Sequence, residues 1–186
     1  MTWIRNAWYV AAWDYEVGPD PLARQLLGVP VVLWRKLDRG VVALRDACPH
    51  RLLPLSMGIK EGDSLRCRYH GLKIGPDGAA EEMPLKSEPV NRGICVQPFQ
   101  TVERHRFVWI WMGDPELADV SKLPPQDWME SAEWERSQGY LSLQGSYVRL
   151  HENLLDLTHL SFLHAKSFGT PDYAKAAFES VIGDGQ

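Results

Sequence analysis

Positive charge is not in excess in this chain: 20 Lys and Arg residues stand against 24 Asp and Glu over 186 residues, a net charge of −4. That balance gives no electrostatic footing for nucleic acid or for an anionic membrane surface, so neither is expected as a partner. A long apolar run is also missing. The N-terminal stretch MTWIRNAWYVAAWDYE is interrupted by Arg5, Asn6 and Asp14, so it is read neither as a secretory leader nor as a membrane span, and the expected compartment is the cytoplasm. There is no internal repeat, no low-complexity tract and no G-x-G-x-x-G fingerprint for a dinucleotide. Cysteine is scarce. Three residues make an odd count, which excludes a fully paired disulfide framework, and in a reducing compartment closely spaced Cys and His point to metal first. Cys95 stands apart from the others and is expected to be a small buried hydrophobe.

What is present suits a folded protein, since 45% hydrophobic and 24% charged residues can build a core beneath a solvated surface. The length admits one large domain or two small ones. Through the first 115 residues, short runs rich in valine, leucine and aromatics alternate with turn signals. They are VPVVLWRK (29–36), GVVALRD (40–46), DSLRCRYHGLKI (63–74), ICVQPFQTVER (94–104) and RFVWIWMG (106–113), with turns at Asp38-Arg39-Gly40 and Pro76-Asp77-Gly78. This spacing predicts a compact β domain over 1–115. A polar stretch with tandem prolines at 124 and 125 reads as a linker, 116–139, carrying one short helix and a solvated surface. Over 140–186 the pattern predicts a strand in GYLSLQGSYVRL, a helix in HENLLDLTHLSFLHAKSF and a further strand running into a turn in FESVIGDGQ.

Two of the three cysteines and two of the six histidines lie between Cys48 and Gly71. Cys48 and His50 form C-x-H; after sixteen residues, Cys67 and His70 form C-x-x-H. Ligands in two tight loops can converge on metal, and Pro49, Gly58, Gly62 and Gly71 allow the backbone to turn around them. Two thiolates and two imidazoles suit one tetrahedral zinc, or a two-iron, two-sulfide cluster with the cysteines on one iron and the histidines on the other. Spacing alone does not separate these.

A second group lies in HENLLDLTHLSFLH, where Asn153 and Asp156 precede His159 and His164. Two imidazoles and a carboxylate make the facial triad of non-haem Fe(II). On a regular helix, His159 and His164 diverge by about 140°. Both reach one metal only if the helix is distorted or ends between them, which predicts a π-bulge or a helix terminus around 160–163. The alternative is an amphipathic helix with two incidental histidines among its leucines.

The CPH and C-x-YHG motifs closely resemble the cluster-binding loops of Rieske proteins. Together with E-x3-D-x2-H-x4-H downstream, they resemble the Rieske non-haem iron aromatic oxygenases. RNAWYVAAW, PLSMG, VWIWMGDPELAD and NLLDLTH are similar to the vanillate O-demethylase and dicamba monooxygenase branch of the oxygenase components. The resemblance implies an α+β fold, with an N-terminal all-β Rieske [2Fe-2S] domain followed by the beginning of a helix-grip catalytic domain. It implies that Cys48 and Cys67 hold the inner iron, and His50 and His70 the outer one. His159 and His164 match two ligands of a mononuclear non-haem Fe(II). The third, a carboxylate, comes from far downstream in this family and is expected to be absent from this chain; Asp172, Glu179 and Asp184 read as surface acids. Asp156 matches an aspartate that bridges an iron ligand and the second cluster histidine, here His70, of a neighbouring subunit. Asn153 matches a position facing the iron. The implied activity is demethylation or hydroxylation of a substituted aromatic acid. It uses O2 and electrons from NAD(P)H, delivered by a separate reductase or ferredoxin to a homotrimer. The 186-residue chain reads as the front half of such an enzyme and is expected to be inactive alone. The rival readings are a Rieske ferredoxin-like electron carrier without catalytic iron and a zinc-stabilised binding module.

Overall fold

Eleven short strands precede the first α-helix among the described residues. The computed structural model describes residues 3–84 and 90–177, together with residues 179 and 181. In chain order the strands are β1 (Ala7–Trp13), β2 (Leu22–Leu26), β3 (Val29–Arg35), β4 (Val41–Arg45), β5 (Ile59–Glu61), β6 (Ser64–Arg66), β7 (Lys73–Ile74), β8 (Ala80–Glu82), β9 (Pro98–Phe99), β10 (Thr101–Arg104) and β11 (Phe107–Met112). They pair as three sheets with the orders β1-β11-β10, β2-β3-β4-β9 and β5-β6-β7-β8. All the registers between them are antiparallel.

Strand β3 explains how the sheets are held. Val31, Val32, Leu33 and Trp34 are all wholly inaccessible, so this strand is apolar on both faces instead of alternating. Successive side chains point to opposite faces, and they enter two different cores. Val32 and Trp34 join a cluster containing Leu44, Leu55, Leu65, Leu72, Ile74 and both Cys48 and Cys67. Val31 and Leu33 join one with Ala11, Ala43, Val108 and Ile110. The strand β11 is divided in the same way, because Val108 and Ile110 face that second core while Trp109 and Trp111 pack with Trp8 and Leu123. The Trp34 indole N–H donates to the Asp63 carbonyl at 2.9 Å, which ties the β3 wall to the β5–β6 turn.

The two turns expected from sequence form. The Asp38 side chain accepts from the Gly40 N–H at 2.8 Å, and the Asp77 side chain accepts from the Ala79 N–H at 3.0 Å. Cys95 differs from expectation: it is exposed, because its neighbours Ile94 and Gln97 also lie on the outside and only Val96 turns inward.

The stretch after β11 is more than a solvated connector. Short 3-10 turns at Pro115–Leu117, Val120–Lys122 and Asp127–Met129 fold it back, and Leu123 and Met129 are buried. Asp114 and Asp119 cap the first two turns by accepting from Glu116 and Ser121 N–H groups. The Trp8 and Trp111 indoles donate to the Asp119 and Asp114 carbonyls at 2.8 and 2.7 Å. The chain divides into two compact units, Met1–Arg136 and Ser137–Gln186.

In the second unit, helix α1 (Tyr147–Leu155) is followed by a 3-10 turn, Leu157–His159, and the four-residue helix α2 (Leu160–Leu163). Two expectations are corrected. The strand read into GYLSLQGSYVRL does not form: residues 139–145 are exposed with no ladder partner among the described residues, and Tyr147 onward is helical. The helix read through residue 168 is broken at Asp156, whose extended backbone (φ −87°, ψ 99°) ends α1. The strand expected in FESVIGDGQ lies for the most part outside the described residues. Helix α1 has no buried residue, and its Leu150, Leu154 and Leu155 are exposed. The whole is α+β, as the sequence reading expects.

Truncating Leu33 to Ala removes a wholly buried side chain from a β3 position that faces away from the cysteine core. It is expected to cost about 2–5 kcal/mol of stability in denaturant unfolding.

Candidate metal centre

The loops that follow β4 and β6 are built alike. The Cys48 N–H donates to the Leu53 carbonyl, five residues on, and the Leu52 N–H donates back to the Cys48 carbonyl, both at 2.8 Å. The Cys67 N–H donates to the Leu72 carbonyl at 2.9 Å, and the Gly71 N–H donates back to the Cys67 carbonyl at 3.0 Å. In each loop the fourth residue after the cysteine takes left-handed backbone, Leu52 at φ 59° and Gly71 at φ 75°. Leucine is unusual there, and glycine is the ordinary choice. A Cβ on Gly71 would also press on the Pro84 ring at 2.8 Å. The loops approach each other closely at Gly58, where a Cβ would lie 2.7 Å from the Arg66 carbonyl oxygen.

The first loop is anchored from below by Asp46. This carboxylate is buried and accepts from the Ser56 N–H at 2.7 Å and the Ser56 hydroxyl at 2.6 Å. That pair fixes the entry to Cys48 against the 3-10 turn Leu55–Met57, whose Leu55 is fully buried.

The four sequence-predicted donors come together. Cys48 and Cys67 are each 2% exposed, on the core side. His50 is exposed and His70 half-buried, with ring centroids 4.5 Å apart. Leu53, Leu72, Arg51 and Tyr69 complete the walls of the gap, and the Tyr69 ring stacks on His70 at 3.9 Å. Burial pushes the Cys48 thiol above its ordinary pKa. The His50 and Arg51 N–H groups directed at its sulfur oppose that rise, and the adjacent Cys67 thiol adds to it. The His70 Nδ1 atom is buried and has no hydrogen-bond partner, a costly state for an imidazole nitrogen unless another group meets it.

These features fit a [2Fe-2S] group: two sulfur donors on the dry side, two nitrogen donors on the open side, an orphaned nitrogen and backbone N–H groups aimed at sulfur. Among the described residues no three His, Cys, Asp or Glu side chains converge as ligands of one ion, and the four donors stand as a thiol pair and an imidazole pair.

In the second unit, His159 and His164 also approach, with ring centroids 5.4 Å apart. The expected distortion is a helix terminus, not a π-bulge: His164 leaves helical geometry as the cap of α2, at φ −103°, and its ring stacks on Phe168 at 4.5 Å. The Asp156 Oδ1 atom accepts from the Thr158 N–H at 2.9 Å and the Thr158 hydroxyl at 2.6 Å. Those two donors, the hydroxyl foremost, hold its carboxyl below the usual carboxylate range. Asn153 is exposed near the end of α1.

Comparison with known proteins agrees with this geometry. The family described as the Rieske [2Fe-2S] domain matches residues 7–102. The chain belongs to that family. Residues 143–185 match the vanillate O-demethylase oxygenase C-terminal domain. Among Rieske relatives, the toluene-4-sulfonate monooxygenase system iron-sulfur subunit of Comamonas testosteroni is 45% identical over 92% of this chain and 49% of its own length. The dicamba O-demethylase oxygenase component of Stenotrophomonas maltophilia is 38% identical over 100% of this chain and 55% of its own. A crystal structure of dicamba monooxygenase bound to dicamba has a TM-score of 0.93 at 37% identity, covering 100% of this chain and 55% of that one. The chain thus spans about half the length of the curated relatives it matches.

Sequence reasoning passed over Asp46, Ser56 and Arg66, whose contacts join positions with no spacing signature. Ser56→Ala leaves the buried Asp46 carboxylate with one donor fewer and is expected to cost about 2 kcal/mol in denaturant unfolding. Unfolding of the two proteins side by side checks this.

Proposed function

We propose that this chain carries the electron-accepting centre, and part of the oxygen-activating site, of a Rieske-type monooxygenase that demethylates or hydroxylates a substituted aromatic acid. The observation that carries the reading is the pair of matched loops that bring two buried thiols and two outward imidazoles to one gap. Cys48 and Cys67 would hold the inner iron, and His50 and His70 the outer. When bound, such a cluster supplies one-electron transfer, with imidazole ligation placing its potential within about −150 to +300 mV.

The chain's own residues do the rest. Leu53, Leu72 and the core beneath keep water from the sulfur side, and the exposed edge at His50 leaves the nitrogen side open to an electron donor. The donor we propose is a separate reductase or ferredoxin drawing on NAD(P)H, since the sequence has no dinucleotide fingerprint. His159 and His164 would supply two of the three donors of a mononuclear Fe(II), the third being a carboxylate. Thr158 fixes one oxygen of Asp156, the residue we assign to orienting an iron ligand and approaching His70 of a neighbouring subunit in a trimer. Asn153 is assigned to the iron-facing side. Three free thiols suit the reducing cytoplasm, and no helix among the described residues is long and apolar enough to cross a membrane.

Metal and sulfide analysis of protein reconstituted anaerobically tests the reading. About two irons and two acid-labile sulfides per chain, with an electron paramagnetic resonance signal on reduction, are expected. Cys48→Ser should abolish both sulfide and signal, whereas His159→Ala should leave the cluster signal intact and remove any additional iron. Colourless protein with one zinc per chain would overturn the assignment.

A further inference from the structure

Arg66 immediately precedes Cys67, yet its side chain returns to the far end of the same loop. The Nη1 atom donates to the Gly71 carbonyl oxygen at 2.8 Å, next to His70. The remaining donors are held in place by carboxylates: Nε and Nη2 meet the two oxygens of Glu61 at 2.7 Å each, and Nη2 also meets Glu82 at 2.9 Å. Arg66 lies on β6, Glu61 on β5 and Glu82 on β8, so one guanidinium joins three strands of the sheet that carries the second loop.

We infer that Arg66 is a positioning residue for the second metal-binding loop and that its charge, balanced against Glu61 and Glu82, sets the reduction potential of the centre. This rests on the cluster assignment made above. Backbone bonds from Cys67 to Leu72 and from Gly71 to Cys67 close the loop, and the guanidinium clamps it from the side, bridging from the residue before Cys67 to the residue after His70. The span between a sulfur donor and a nitrogen donor is therefore bridged by a side chain whose hydrogen bonds go to Gly71, Glu61 and Glu82. A planar fork is needed. Its donors point outward in one plane, so a bidentate hold on Glu61 aims the remaining nitrogen at Gly71. A lysine ammonium keeps the charge but has no such fixed directions.

The electrostatic half follows from sign. Reduction adds an electron, and a fixed positive charge at the Gly71 carbonyl, next to His70, favours the reduced state. The arginine side chain is only 20% exposed, so solvent screens it incompletely. Its two carboxylate partners act in the opposite direction. Losing the arginine leaves their charges uncompensated.

The test is redox titration and reduced-state electron paramagnetic resonance on the reconstituted whole chain. Arg66→Gln should move the midpoint to more negative potential and displace the g-values. Arg66→Lys should bring the potential back toward wild type while the g-values remain displaced. Glu61→Gln removes a carboxylate and should move the midpoint positive. It decides alone if Arg66→Gln cannot be loaded. Wild-type midpoints and g-values in both Arg66→Gln and Glu61→Gln overturn the inference while leaving the cluster assignment standing. A wild-type chain that takes up no iron and sulfide sinks that assignment, and this inference with it.

Discussion

The site depends on the closure of two short loops by their own backbones. Each cysteine N–H reaches five residues ahead and each cysteine carbonyl is met from four residues ahead, so the path of each loop is set by its backbone and the side chains refine it. Such bonds gain little net free energy in water, but leaving a buried N–H unmet would be costly, and that asymmetry makes the geometry strict. The left-handed residue in each loop is the conformational cost of the turn. Gly71 meets it without strain, while Leu52 adopts it as an exposed residue.

Around this, hydrophobic burial works in layers. The wall formed by β3 lets one strand serve two cores, and the core on the cysteine side includes both Cys48 and Cys67 among aliphatic neighbours. That placement raises the Cys48 thiol and keeps the sulfur face dry, whereas the histidine face lies toward solvent. Asp46 and Arg66 are the polar ties through that layer, each closing a distance that packing alone would leave adjustable.

Much of this was legible in the sequence, for identifiable reasons. Strands β3, β4 and β11 are long enough to display their apolar content, and the Cys-His spacing survives in sequence because each pair sits within one turn of chain. Strands β5 and β8, three residues each, hold too few side chains for periodicity to register. The segment at 139–150 misled because alternation signals a strand only when a neighbour can pair with it. The break at Asp156 has a local cause that could have been found: an aspartate two residues before a threonine competes with the helix for backbone N–H groups. The exposure of Cys95 had no signal, since burial of a lone cysteine is a statistical expectation that one edge position can defeat.

The sheet topology also bears on the route to the folded state. The first loop follows the β3–β4 hairpin and the second lies among strands joined by tight local connections, β5 to β6 to β7 to β8, whereas β1 must find β11 by pairing residue 7 with residue 112. Entropy favours the shorter closures, so the cradle for iron can assemble while the terminal strand is still searching. Closing the sheet through β1 and β11 is then the step with the longest search, and it falls on a pair that touches neither loop.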